Sequence, residues 1–157
     1  MIFLNTQRHV IIKAYTVGFK MYTIIAGSRL LTKDEVYSVM ADVPIAVKIT
    51  HVISGKAPEG GDYWGEKWAN DRNIPVIPFP ADWNNLDAPG AVIKENKYGK
   101  LYNERAGFDR NQLMADYAAS HDGRLIAILK GKSSGTKDMI ARAKAVNVPC
   151  YVYQVEV

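Results

Sequence analysis

Leu125–Leu129 (LIAIL) is an unbroken apolar run. A strand with no polar face has to be covered on both sides, and strands of that kind belong to parallel sheets joined by crossover helices. The chain supplies such neighbours. Tyr22–Ala26 (YTIIA), Thr50–Ile53, Ile74–Phe79 and Pro149–Val155 read as further strands, with the prolines of Ile74–Phe79 favouring an edge. Helical spacing fills the intervals. Thr32-Lys-Asp-Glu35 forms a capping box ahead of Val36, Val39 and Met40. Asp62 caps a helix over Tyr63–Asn73, in which Trp64, Trp68 and Ala69 share a face. Asp109 opens another with Leu113, Met114, Tyr117 and Ala118, and Ser134–Val146 carries Met139, Ile140, Ala143 and Val146 inward. Strand and helix alternate without tight hairpin signals. The expected class is therefore α/β, a doubly wound, mainly parallel sheet of about five or six strands with helices on both faces.

With 157 residues, 48% of them hydrophobic, the chain can bury one real core. The net charge of +4 suits a polyanionic ligand. Lysine and arginine are spread along the chain, so no basic tail argues for duplex DNA, and a nucleic-acid partner is not expected. Binding of single-stranded nucleic acid through Lys, Tyr and Trp residues on one face stays open as an alternative. A single cysteine, Cys150, can form no internal disulfide; it reads as a buried structural thiol in a reducing, cytoplasmic setting. No apolar run approaches the ~20 residues of a membrane span. Asn5, Gln7, Arg8, His9 and Lys13 interrupt the N-terminal apolar residues, so residues 1–20 make a poor signal peptide. They read as an extra edge strand around 10–17, or as an accessory extension to a domain spanning 21–157.

Ligands of doubly wound sheets sit outside the C-terminal strand ends. That places Gly27-Ser28-Arg29, Ser54–Asp62, the segment from Pro80 to Gly107 and Lys130–Thr136 at the candidate site. Gly131-Lys132-Ser133 looks like the end of a P-loop, but the glycine required five residues before Gly131 falls on Ile126. Gly131 and Ser134-Gly135-Thr136 then read as a phosphate nest at a helix start, or equally as a turn capped by Ser133 or Ser134. His9, His51 and His121 are scattered, and no metal-ligand spacing, G-x-S-x-G motif or dinucleotide fingerprint occurs; no metal or cofactor is expected. Asp62 and Asp109 read as helix caps as readily as functional acids, and Asp138 favours a helix dipole whatever its function. Residues 80–107 show no strong period, and such a segment is either functional or disordered. Its Trp83, Tyr98 and Tyr102 argue against disorder. Trp83 serves either to stack on a base or to pack this loop on the body. Arg110-Asn111 follows the loop directly and is a candidate for the ligand.

Ile25-Ala-Gly-Ser-Arg29, Ile53-Ser-Gly55 with Gly61-Asp62, Pro78-Phe-Pro-Ala-Asp-Trp83, Arg110-Asn-Gln-Leu-Met114 and Gly131-Lys-Ser-Ser-Gly-Thr136 together resemble the SLOG superfamily. Within it, they resemble the small bacterial and phage proteins related to YspA and YpsA. The resemblance implies a Rossmann-like fold that binds a nucleotide or nucleotide-derived ligand, as a sensor or a sequestering protein. It also permits a homo-oligomer. It implies phosphates on Gly27–Arg29 and Gly131–Thr136, charge neutralised by Arg29, Lys56 and Arg110, and ribose or base bonded by Ser54, Asp62 or Asn111. Gly55, Gly61 and Trp83 complete the expected ligand-binding set. The superfamily's cytokinin-activating LOG enzymes hydrolyse the N-glycosidic bond of nucleoside monophosphates, using an arginine in R-K-x-x-M and a glutamate in G-G-x-G-T-x-x-E. Arg110 and Met114 match the first motif. The glutamate falls on Met139, with Asp138 one residue early, so Arg110 and Asp138 are the catalytic candidates if the chain is such an enzyme. The Ser54–Asp62 loop has one residue more than the family's, with Pro58-Glu59 where a basic residue is common. The stretch from Trp83 to Lys97 is longer than in minimal members and is expected to form a lid or an oligomer contact.

Overall fold

The computed structural model of the chain describes residues 18–157; the edge strand expected at 10–17 lies outside the described residues. Five parallel strands form one sheet in the order β3-β2-β1-β6-β7. They are β1 (Tyr22–Gly27), β2 (His51–Ser54), β3 (Val76–Pro78), β6 (Arg124–Lys130) and β7 (Cys150–Val155). The helices are α1 (Lys33–Asp42), α2 (Gly60–Asp71), α3 (Ala106–Ser120) and α4 (Ser134–Ala145), with a short 3-10 turn at Pro44–Lys48. The chain winds outward from β1 through β2 to β3, then returns to β6 on the other side of β1. That reversal makes the β1/β6 exit the switch point of the sheet.

Strand alternation divides the core. Ile25, Val52, Ile126 and Ile128 face α1 and α2, packing with Val36, Met40, Trp68 and Ala69. Ile24, Ala26, Ile53, Leu125 and Ala127 face α3 and α4, packing with Met114, Ala115, Ala118, Met139 and Ala143. The LIAIL run is buried on both faces because β1 and β7 flank it and helices cover both sides. Pro78 in β3 and Pro75 just before it are tolerated because, among the described residues, β2 is the one sheet neighbour of β3. Thr32 and Glu35 form the expected reciprocal capping box.

Three boundaries differ from expectation. Helix α2 starts at Gly60 rather than Tyr63, so Asp62 lies inside its first turn and caps nothing. Backbone docking sets that start: the Gly61 N–H donates to the Ser28 carbonyl at 3.1 Å, and Gly60 turns the chain at φ 72°. Helix α3 begins at Ala106 rather than Asp109, whose carboxylate instead pairs with Arg105 at 3.3 Å. Residues 80–107 contain an antiparallel hairpin, β4 (Ile93–Glu95) with β5 (Leu101–Asn103). Its strands are three residues each and largely exposed, too short for their alternation to stand out. Cys150 is half-buried; its thiol donates to the Val148 carbonyl at 3.2 Å, and burial pushes its pKa up. His51 and His121 come together around Tyr22, with ring centroids 4.3 and 4.5 Å from it, at the start of β1 and away from the switch point. No helix among the described residues is long and apolar enough to cross a membrane.

Candidate functional site

A cleft of about 670 Å³ opens at the C-terminal ends of β1 and β6. Its floor is apolar, with Ala26, Met114 and Met139 among the lining residues. Of the expected ligand residues, Gly27, Ser28, Arg29, Asp62, Trp83, Arg110, Asn111, Ser134, Gly135 and Thr136 line it. Ser54, Gly55, Lys56, Gly61, Gly131 and Asp138 do not, and each has a structural occupation.

Ser54 Oγ donates to Glu66 at 2.9 Å and accepts the Lys56 N–H, while Lys56 Nζ pairs with the same carboxylate at 2.7 Å. The charge of Lys56 is therefore spent inside the chain. Gly61 packs so closely on Gly27 that a Cβ there would approach the Gly27 Cα to well under 3.0 Å. Gly131 turns the chain at φ 61°. Asp138 pairs with Arg142 at 2.8 Å and accepts from Asn111 Nδ2 at 3.0 Å.

Ser28 and Asn111, though on the wall, are braces. The Ser28 hydroxyl accepts the Lys130 N–H at 2.8 Å and bonds the Ser133 hydroxyl, tying the β1 exit to the β6 exit. Ser133 stands at the N-cap position of α4 but spends its hydroxyl on Ser28, so no side chain caps that helix. The alternative of a plain capped turn is thereby set aside. The first amides of α4, at the cleft, keep their capacity to bind an anion. Asn111 Nδ2 also donates to the Gly135 carbonyl at 3.1 Å, fixing the start of α4 against α3. A Cβ built on Gly135 would meet nothing within 4 Å, so packing does not demand glycine there.

Arg110 is half-buried. Its Nη1 donates to the Gly55 carbonyl and its Nε to Asn111 Oδ1 at 3.0 Å. Asp62 is 9% exposed, and its Oδ2 accepts the Ala57 N–H at 3.2 Å. Burial raises the Asp62 carboxyl above its usual range, opposed by the Ala57 hydrogen bond and by Arg110 and Arg29. Burial likewise draws the Arg110 guanidinium down, with Asp62 opposing. Gly55 lets the two approach: a Cβ there would lie 2.8 Å from Arg110 Nη1 and 2.9 Å from Asp62 Oδ2.

Of the two readings of Trp83, the structure shows the packing one. Its ring lies against Gly107, where a Cβ would come within 2.8 Å of Cη2, and edge-on to Tyr102 at 6.4 Å. It therefore packs the segment onto α3 while presenting an aromatic wall to the cleft. Sequence reasoning missed Asn96, Lys100, Tyr102 and Glu104, which reach the cleft from the hairpin and the residue after it, and Lys132 beside α4. A five-residue turn with Gly99 between Ile93-Lys-Glu95 and Leu101-Tyr-Asn103 was the available signal. No group of three or more potential metal ligands occurs among the described residues.

Residues 23–85 match the family described as YAcAr: YspA, cpYpsA-related SLOG family. No curated protein and no solved structure matched the chain. The matched segment runs from β1 to the loop just past Trp83 and includes Gly27-Ser28-Arg29 and Asp62 on the cleft wall. The match covers residues 23–85, under half of the chain, and over that segment the chain is similar to the SLOG superfamily.

Proposed function

We propose that the chain binds a nucleotide or nucleotide-derived ligand in this cleft, as a sensor or a sequestering protein. One observation carries the reading. The cations on the wall, Arg29, Lys100, Arg110 and Lys132, take part in none of the ion pairs among the described residues. Outside the wall Lys56, Lys94, Arg105, Lys130 and Arg142 have a carboxylate partner, while others such as Lys20, Lys48 and Lys137 have none among the described residues; what sets the four wall cations apart is their convergence on one cleft. Unpaired cations in a concave site favour an anion from outside the chain. The uncapped start of α4 suits a phosphate, and Trp83 with Tyr102 suits a base. Native mass spectrometry of protein purified from cells, followed by calorimetry with a nucleotide panel, tests the reading. Absence of any bound nucleotide in both would overturn it.

Gly135→Ala separates a ligand role from a packing role. The added methyl has room, so stability is expected to stay within about 1 kcal/mol of the parent. Nucleotide affinity is expected to fall about tenfold, since the methyl would stand where a phosphate approaches the α4 amides. Denaturant melts and calorimetry on the same preparation check both halves.

A second reading, nucleoside-monophosphate hydrolysis, draws support from Asp62. It is a buried carboxyl on the cleft wall beside Arg110, with a proton affinity raised by burial. Asp138, the other candidate, is bound to Arg142 and Asn111 and stands off the wall. Asp62→Asn distinguishes the readings: a binding protein keeps its nucleotide affinity, whereas a hydrolase loses base release. The same variant has a pH signature. The folded carboxyl binds its proton more tightly than the unfolded one, so the carboxylate costs stability as pH rises above the unfolded value of 3.8. Asp62→Asn is expected to melt above the parent at pH 7, with the advantage shrinking toward pH 4. A lower melting temperature at pH 7 would mean that Arg110 and Arg29 outweigh burial.

A further inference from the structure

The β4–β5 hairpin lies beyond the segment that matches the family, yet it supplies Asn96, Lys100 and Tyr102 to the cleft. Its turn is braced. Asn96 Oδ1 accepts the N–H groups of Tyr98 and Lys100 at 2.9 and 3.0 Å. The Asn96 N–H donates to the Lys100 carbonyl at 2.9 Å, and Gly99 completes the turn at φ 79°. The root is braced as well. Asn103, 1% exposed, accepts the Val92 and Arg105 N–H groups at 3.1 Å and donates its own N–H to the Trp83 carbonyl at 2.7 Å. Both backbone groups of Lys100 are thus fixed, and its ammonium joins no ion pair among the described residues.

Arg29 and Lys132 enter the cleft from the connections after β1 and β6. Lys100 enters from the connection after β3, which lies on the other side of β1 in the sheet. A ligand that engages both sets carries anionic groups at more than one position. We propose that Lys100 is a specificity residue of the cleft, selecting nucleotides with two or more phosphates over monophosphates. Tyr102 and Trp83 wall the cleft beside it. The proposal rests on the nucleotide reading above and deepens it. Pre-organisation supports it: a lysine on a braced turn has less freedom to lose when the anion arrives.

The test is calorimetry of the full chain with adenosine and guanosine mono-, di- and triphosphates, on the parent, Lys100→Ala and Lys100→Arg. Lys100 is exposed at a turn, so both variants are expected to fold as the parent does. The parent is expected to bind a di- or triphosphate about tenfold tighter than the matching monophosphate, as one charge-assisted contact allows. Lys100→Ala is expected to abolish most of that preference, weakening di- and triphosphate binding more than monophosphate binding; Lys100→Arg is expected to retain the preference. An equal loss for all three phosphate lengths, or an unchanged preference in Lys100→Ala, overturns the proposal. A parent that binds mono- and diphosphates equally overturns it while the nucleotide reading stands. A parent that binds no nucleotide overturns both.

Discussion

Arg110→Ala is expected to lower nucleotide affinity by about 30- to 1000-fold with the fold intact, the range for truncating a half-buried, hydrogen-bonded charge at a binding surface. The argument starts from its surroundings. Arg110 projects from α3, is braced by the Gly55 carbonyl and Asn111 Oδ1, and lines the cleft beside Asp62. Those bonds orient the guanidinium; they do not neutralise it. Truncation also strands the Gly55 carbonyl and leaves Asp62 with less compensation, at a stability cost of about 1–3 kcal/mol. Arg110→Lys restores the charge without the planar fork and should recover part of the affinity. Calorimetry with circular dichroism as the folding check reads both effects, and unchanged affinity would count against this cleft as the ligand site. In an Asp62→Asn background the stability cost should shrink, because no buried carboxylate remains to lose its neighbour.

The sheet was legible because its signals are redundant. LIAIL and YTIIA are apolar along their whole length, and register pairs them directly, Ile24 with Leu125 and Ile25 with Ile126. The Thr32/Glu35 capping box needed only its own four residues. Helix starts were less legible where a tertiary contact sets them. Asp62 has the chemistry of a cap, but the contact of Gly61 with the Ser28 carbonyl draws the first turn of α2 three residues earlier. The hairpin failed for a different reason: most of its residues are exposed, so burial imprinted no alternation on them.

Site residues divide the same way. The strand exits followed from topology, and Gly27, Ser28, Arg29 and Ser134–Thr136 line the cleft there. What a side chain does there depends on partners distant in sequence. Nothing local marks Lys56 as paired with Glu66, Asp138 with Arg142, or Ser28 with Ser133 across 105 residues. Lys100 and Tyr102 are invisible without the hairpin that carries them. Strand exits can be read one at a time; unpaired charge is a property of the assembled wall.

Gly61→Ala is the structural counterpart of Gly135→Ala, and its outcome should be opposite. The methyl at Gly61 would collide with backbone, the Cα and N of Gly27, and neither side can swing away as a flexible side chain would. Moving α2 off the β1 exit is the remaining relief. That motion lengthens the 3.1 Å bond from the Gly61 N–H to the Ser28 carbonyl and disturbs Trp68 and Ala69, which α2 buries against the sheet. Overpacking against rigid surroundings costs about 3 kcal/mol, a large share of the roughly 5–15 kcal/mol that holds a domain folded. Denaturant titration should show the midpoint falling with little change in slope. Nucleotide affinity should fall as well, because Ser28, the acceptor of that bond, anchors the cleft's β1 side. The pair of variants therefore assigns the two glycines by physics: one whose hydrogen is required by the protein's own backbone, and one whose open space is left for a ligand. Gly61→Ala with parental stability would mean that α2 can shift without cost, and the close packing of α2 on the β1 exit would then not be what fixes the cleft.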